Sequence, residues 1–106
     1  LAHKLVSLAS DFQAEDILLL DITEIFPFAD YFVIASATSP RQFEALAAAI
    51  SHISNGARAR CEGTAQAGWQ LFDYGNVIVH IFGRSEREYY DLESLWSTGT
   101  QLIRIE

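Results

Sequence analysis

The stretch Leu71-Phe-Asp-Tyr-Gly-Asn-Val-Ile-Val-His-Ile-Phe-Gly83 limits the fold more than any other part of the chain. It reads as two strands, 69–73 and 76–82, joined by a tight turn over Tyr74-Gly75. In the second strand Val77, Val79 and Ile81 point one way and Ile78, His80 and Phe82 the other, so both faces are apolar. A strand loses its polar alternation when it is covered on both sides. This hairpin therefore fits the centre of a sheet that carries other elements on its two faces.

The remaining segments supply those elements. Leu5, Leu8 and Phe12 share one side of a helix over 3–12, which is expected to begin before Leu1. Residues 16–22 read as a strand, Pro27 sits in the loop that follows, and 30–35 is a second strand rich in aromatic and β-branched residues. Ser39, Pro40 and Gln42 form a capping box with proline at the first helical position. The helix they open places Phe43, Leu46, Ala47, Ile50 and Ile53 on one face and ends at Asn55-Gly56. Residues 57–62 are a weak strand, and 63–68 are a polar loop of small residues. A second capping box, Ser85-x-x-Glu88, opens a helix to about Trp96, and the alternating tail 101–105 suits a short edge strand. The order is helix, two strands, helix, three strands, helix. It defines a small single-domain α/β fold spanning residues 1–106, a mixed β-sheet with helices packed on it. With 106 residues, half of them hydrophobic, one core forms without staples.

Chemistry is sparse along this frame. Cys61 has no partner for an internal disulfide and only Arg60 beside it to activate a thiolate, so it reads as a strand cysteine suited to a reducing compartment. No apolar run is long enough to span a membrane. Fourteen acids against seven bases give a formal charge of −7, which disfavours extensive direct nucleic-acid binding and favours a basic protein partner. His80 is the one candidate base, with Asp73 across the hairpin. Asp73 is equally placed to cap the turn, and His80 to make one hydrogen bond at the sheet margin. His3, His52 and His80 lie on separate elements without ligand spacing, so neither a metal nor a cofactor is expected. Asp11, Glu15 and Asp16 read as a solvated corner. Ser36-Ala-Thr-Ser39 could cradle an anion at a helix start, but capping explains it as well, and only Arg41 is basic nearby. No nucleophile, base and orienter assemble, so an enzyme is not expected.

The last helix is more suggestive. With Tyr89 as origin, Leu92 and Trp96 fall on its side and Leu95 flanks them, a set expected to pack on the sheet. Glu86, Tyr90 and Glu93 form a second stripe, acidic at both ends with an aromatic between, as interface hot spots often are.

Three segments together carry a resemblance. They are Asp30-Tyr-Phe-Val-Ile-Ala-Ser-Ala-Thr-Ser-x-Arg-Gln42, Trp69-x-Leu-x-Asp-Tyr-Gly-Asn-Val-Ile-Val-His-Ile-Phe82 and Arg87-x-Tyr-Tyr-x-Leu-Glu-x-Leu-Trp96. In this order they resemble the Iojap family, the ribosomal silencing factors (RsfS), over nearly the whole chain. The resemblance implies a nucleotidyltransferase-like fold without catalysis. It implies binding to ribosomal protein fourteen of the large subunit, a steric block on subunit joining, and repressed translation. Organelle relatives assist large-subunit assembly, which stands as an alternative beside a nucleotidyltransferase-like enzyme. Carried onto this chain, the partner-binding candidates are Trp69, Asp73, Tyr74, Gly75 and His80 from the hairpin. Glu86, Arg87, Tyr90, Leu92, Glu93 and Trp96 come from the last motif. The linker 57–68 departs from the family pattern, being alanine-rich and without its proline, so Arg58 and Arg60 are not carried over. A bacterial cytoplasmic setting is expected, with an organellar origin left open, and the exposed aromatics leave a homodimer open.

Overall fold

The computed structural model describes residues 1–52 and 60–105, apart from the Leu95 side chain. Ile53, the expected helix end at Asn55-Gly56, and residues 57–59 with Arg58 lie outside the described residues. In chain order the elements are α1 (Ala2–Asp11), β1 (Glu15–Asp21), β2 (Tyr31–Ala37), α2 (Pro40–His52) and β3 (Arg60–Thr64). There follow β4 (Trp69–Asp73), β5 (Val77–Gly83), α3 (Arg84–Tyr90), α4 (Leu92–Leu95) and β6 (Thr100–Ile105). The strands form one mixed sheet in the order β3-β4-β5-β2-β1-β6. β5 runs parallel to β2, and the other neighbours are antiparallel. The doubly apolar strand β5 therefore lies inside the sheet, between β4 and β2, as its pattern requires.

One face of the sheet is covered by α1 and α2. Leu5, Val6 and Ala9 of α1 and Phe43, Leu46, Ala47 and Ile50 of α2 pack against Val33, Phe72, Val77, Val79 and Ile81. Leu8 and Phe12, expected on the buried side of α1, are only partly buried. The α2 start forms much as the capping box predicts: Ser39 Oγ accepts from the Gln42 amide at 3.1 Å. The Gln42 carbonyl oxygen, however, accepts from the Thr38 amide rather than from Ser39. Its side-chain nitrogen donates to the Phe12 and Gln13 carbonyls at 2.8 and 2.9 Å, fastening α2 to the end of α1.

The opposite face holds Leu18, Leu20, Ile22, Phe32, Ile34, Ile78 and Phe82, with Leu92 over them. Here the structure departs from the expected single helix. Asp91 is left-handed at φ 45° and separates α3 from α4. The second capping box does not form either. β5 passes into α3 with Gly83 as N-cap, so Ser85 already lies inside the helix, and its hydroxyl donates to the Glu86 carboxylate at 3.1 Å. Two further boundaries shift. Gly63 and Thr64, read as loop, are in β3 opposite Gln70 and Trp69. The two-residue turn is Gly75-Asn76, because Tyr74 still donates its amide to the Val77 carbonyl at 2.9 Å. Gly75 takes φ +92°, which a side chain would resist.

Candidate functional site

On the second face, Trp69 of β4 stands directly across from Phe82 of β5, and Leu71 across from His80. Alternation puts all four side chains on that face. The Trp69 indole stacks on Phe82 with centroids 5.1 Å apart and meets the Tyr90 ring of α3 at 4.6 Å. Trp69, Leu71 and Tyr90, with Glu62, Gly63 and Ala67 from the β3–β4 hairpin, line a shallow groove of about 290 Å³. Gly63 leaves no room for a side chain, since a Cβ there would lie 2.2 Å from the Trp69 carbonyl oxygen. Tyr90 is 44% exposed and Tyr89 82% exposed.

His80 lies beneath this groove. It is 4% exposed and sits mid-strand, not at the sheet margin that its sequence context suggested. Its ring makes a T-shaped contact with Phe32 at 4.8 Å and lies nearly parallel to Phe82. Trp69 Nε1–H donates to His80 Nδ1 at 3.2 Å, which places the proton of the neutral imidazole on Nε2. Nε2 is buried and has no partner among the described residues. Burial pushes the His80 pKa down to about 4, so the ring is uncharged near neutrality. In energetic terms this is a poor stability element. One neutral hydrogen bond contributes about 0.5–1.5 kcal/mol net, and a buried unpaired donor costs about 1–3 kcal/mol. Asp73 is not oriented toward His80. Its carboxylate accepts from the Gly75 amide at 2.8 Å, the turn-capping role that the sequence also allowed.

Arg87 is buried as well and joins four elements. Its Nε donates to Glu93 at 2.9 Å and its Nη1 to Ser36 Oγ at 3.0 Å and to the Asp16 carbonyl. Asp16, left-handed at φ 48° in a bulge of β1, also places its carboxylate 2.8 Å from Arg104. Glu15 pairs with Arg84. Of the acidic corner read from the sequence, Asp11 stays exposed, while Glu15 and Asp16 form ion pairs that tie β1 to α3 and β6. The break at Asp91 also divides the expected acidic stripe. Glu93 turns inward to Arg87, while Glu86 lies against Gly68 and Gly83, where any added Cβ would collide with it. Tyr89, expected to pack on the sheet, instead leaves it for solvent. Leu92 is buried and Trp96 packs edge-on against Phe26 and Phe32, as the periodicity suggested.

Trp69, His80, Glu86, Arg87, Tyr90, Leu92, Glu93 and Trp96 therefore gather on or under one face. Asp73, Tyr74 and Gly75 do not join them. They lie at the far end of the hairpin, about 13 Å along β4 from Trp69, and the Tyr74 hydroxyl donates to the Ile50 carbonyl on the α2 side. Sequence reasoning missed the loop aromatics Phe26 and Phe28. Phe28 is 78% exposed and meets Phe26 at 5.5 Å. The only local signal was the pair of aromatic residues flanking Pro27.

The phosphate-cradle alternative weakens on inspection. Around Ser39 the Thr38 and Gln42 amides already donate to side chains within the turn. Arg84, remote in sequence, does line that groove, but it is paired with Glu15. No group of acidic, histidine or cysteine side chains among the described residues could hold a metal ion.

Together these features define a small α/β domain with one well-covered sheet face and one partly exposed aromatic face. A family model described as ribosomal silencing factor during starvation matches residues 1–106. The chain is 45% identical over 89 residues to the ribosomal silencing factor RsfS of Bacillus subtilis, spanning 81% of this chain and 75% of that one. It is 31% identical over 99 residues to a mouse protein named mitochondrial assembly of ribosomal large subunit protein 1, spanning 88% of this chain and 43% of that one. A crystal structure of a Bacillus halodurans protein superposes with a TM-score of 0.79 at 34% identity, covering 98% of this chain and 94% of the other. The chain belongs to the ribosomal silencing factor family, which the Iojap resemblance had indicated. That family is named for silencing, not for a catalysed reaction. Among the described residues no helix is long and apolar enough to cross a membrane.

Proposed function

We propose that the chain binds the large ribosomal subunit through ribosomal protein fourteen and sterically blocks joining of the small subunit, repressing translation. The observation that carries this reading is the Trp69–Tyr90 groove with Tyr89 beside it, on a chain of net charge −7. Exposed tyrosines beside a partly buried tryptophan supply contact area at small entropic cost. The acidic balance favours encounter with a basic ribosomal protein over bare RNA. Occupancy alone blocks a joint, so the reading needs no catalytic group and no cofactor. A bacterial cytoplasmic setting fits it, and a homodimer through the same aromatic face would compete with docking. The mouse relative's name favours large-subunit assembly as a second reading.

Purified protein should co-sediment with free large subunits and lower the yield of joined ribosomes when small subunits are added. Absence of co-sedimentation at low salt overturns the proposal. Co-sedimentation without any effect on joining favours the assembly reading instead.

A further inference from the structure

We infer that His80 is a positioning residue, an imidazole retained in an aromatic core so that its Nδ1 holds the Trp69 indole in one orientation at the docking groove. The inference rests on the docking reading above and assigns His80 no direct contact with a partner, from which its burial shields it.

Packing does not explain an imidazole at this position. The ring meets Phe32 in a T-shaped contact and is nearly parallel to Phe82, surroundings that a phenylalanine would fill without a polar atom. Of its two nitrogens, Nδ1 accepts from Trp69, and Nε2 has no partner among the described residues. The fold thus carries a buried, unsatisfied donor in exchange for a single bond, and that bond goes to a residue lining the groove. Ring contacts cannot do the same work. Stacking on Phe82 at 24° and the tilted contact with Tyr90 at 45° restrict the plane of the indole. They do not select which indole edge faces outward, because a flipped ring presents nearly the same π-face. The N–H bond selects it, pointing the pyrrole edge to the sheet and the hydrocarbon edge to the groove.

The test compares wild type, His80→Phe, Trp69→Phe and the double variant. Three readouts are used: denaturation midpoint, exchange of the Trp69 indole proton, and affinity for purified large subunits. His80→Phe should be at least as stable as wild type, exchange its indole proton about tenfold faster, and bind large subunits roughly tenfold more weakly. Adding His80→Phe to Trp69→Phe should cost no further affinity, since His80 acts through the indole. Unchanged binding by a folded His80→Phe, or full additivity in the double variant, overturns the inference. Should His80→Phe not fold, His80→Gln decides: its amide oxygen can accept the indole proton, so it keeps affinity on this proposal, and a tenfold loss refutes it. If wild type fails to bind large subunits, the docking reading falls. In that case the indole-exchange result alone decides whether His80 orients Trp69, with an unaltered exchange rate in His80→Phe counting against it.

Discussion

The two faces of the sheet are built from the same strands yet solve different problems. On the α1–α2 face the buried side chains are mainly aliphatic, and two helices of three to four turns cover them. On the other face, cover comes from the 22–30 loop and from two short helices separated by a left-handed Asp91. Every aromatic ring pair found among the described residues lies on that second face. So does the buried imidazole with an unpaired nitrogen. The first face is a stability element that any well-packed set of similar volume could replace. The second accepts unsatisfied and half-exposed groups that packing alone would remove, as surfaces kept for a partner do.

The contrast can be broken most forcefully at Phe72, which is fully buried on the first face. Phe72→Ala should lose about 3–5 kcal/mol of stability in chemical denaturation. Whatever fraction remains folded should bind large subunits as wild type does. Selective loss of binding by that variant would erase the division between faces.

The next largest effect is the pH dependence of His80. Its ordinary pKa is 6.5 and its folded value about 4. Between those values the unfolded chain binds more protons, so stability falls as pH drops from about 6.5 to about 4, by roughly 3 kcal/mol across the window. Above the upper limit His80 adds no slope. His80→Phe should flatten this part of a stability-versus-pH curve, and an unchanged curve would show that His80 titrates normally.

Tyr90→Ala sharpens the comparison from the other side. With its ring 44% exposed, it should change stability by no more than about 1 kcal/mol. Affinity for large subunits should fall about tenfold in a sedimentation titration, the range of an aromatic hot spot. The smallest effect belongs to Glu62, an exposed acid at the groove. Glu62→Lys should slow association by roughly two- to threefold at low salt and have little effect at high salt, because rim charges act mainly on encounter. Stopped-flow binding at two salt concentrations checks it. Glu93, one of the two acids of the expected Glu86–Glu93 stripe, is unsuitable for this purpose. It is bound to buried Arg87, so its reversal would break the α3–α4 corner.

Much of this architecture follows from local pattern. The Ser39–Pro40 start of α2, the buried face of α2 and the double-sided burial of β5 all depend on neighbours within one or two turns or along one strand. The side-chain period along Trp69, Leu71, Ile78, His80 and Phe82 likewise follows from strand geometry alone. The aromatic and acidic residues of the last helix were visible too, but their directions were not. A single left-handed residue, Asp91, rotates everything after Tyr90, and the tolerance of aspartate for positive φ is too general to announce it. The corner is held instead by Arg87, which reaches Asp16 and Ser36 more than fifty positions earlier in the chain. By itself the sequence determined the six strands and the first two helices, the two-sided burial of β5, the apolar side of α2 and the family. Only the tertiary structure decided that Glu93 pairs with Arg87, that Tyr89 leaves the sheet and that His80 lies beneath Trp69. Each of those outcomes depends on which distant strand or helix supplies the other half of a contact, and pairing between remote segments is set by the packing of the whole core.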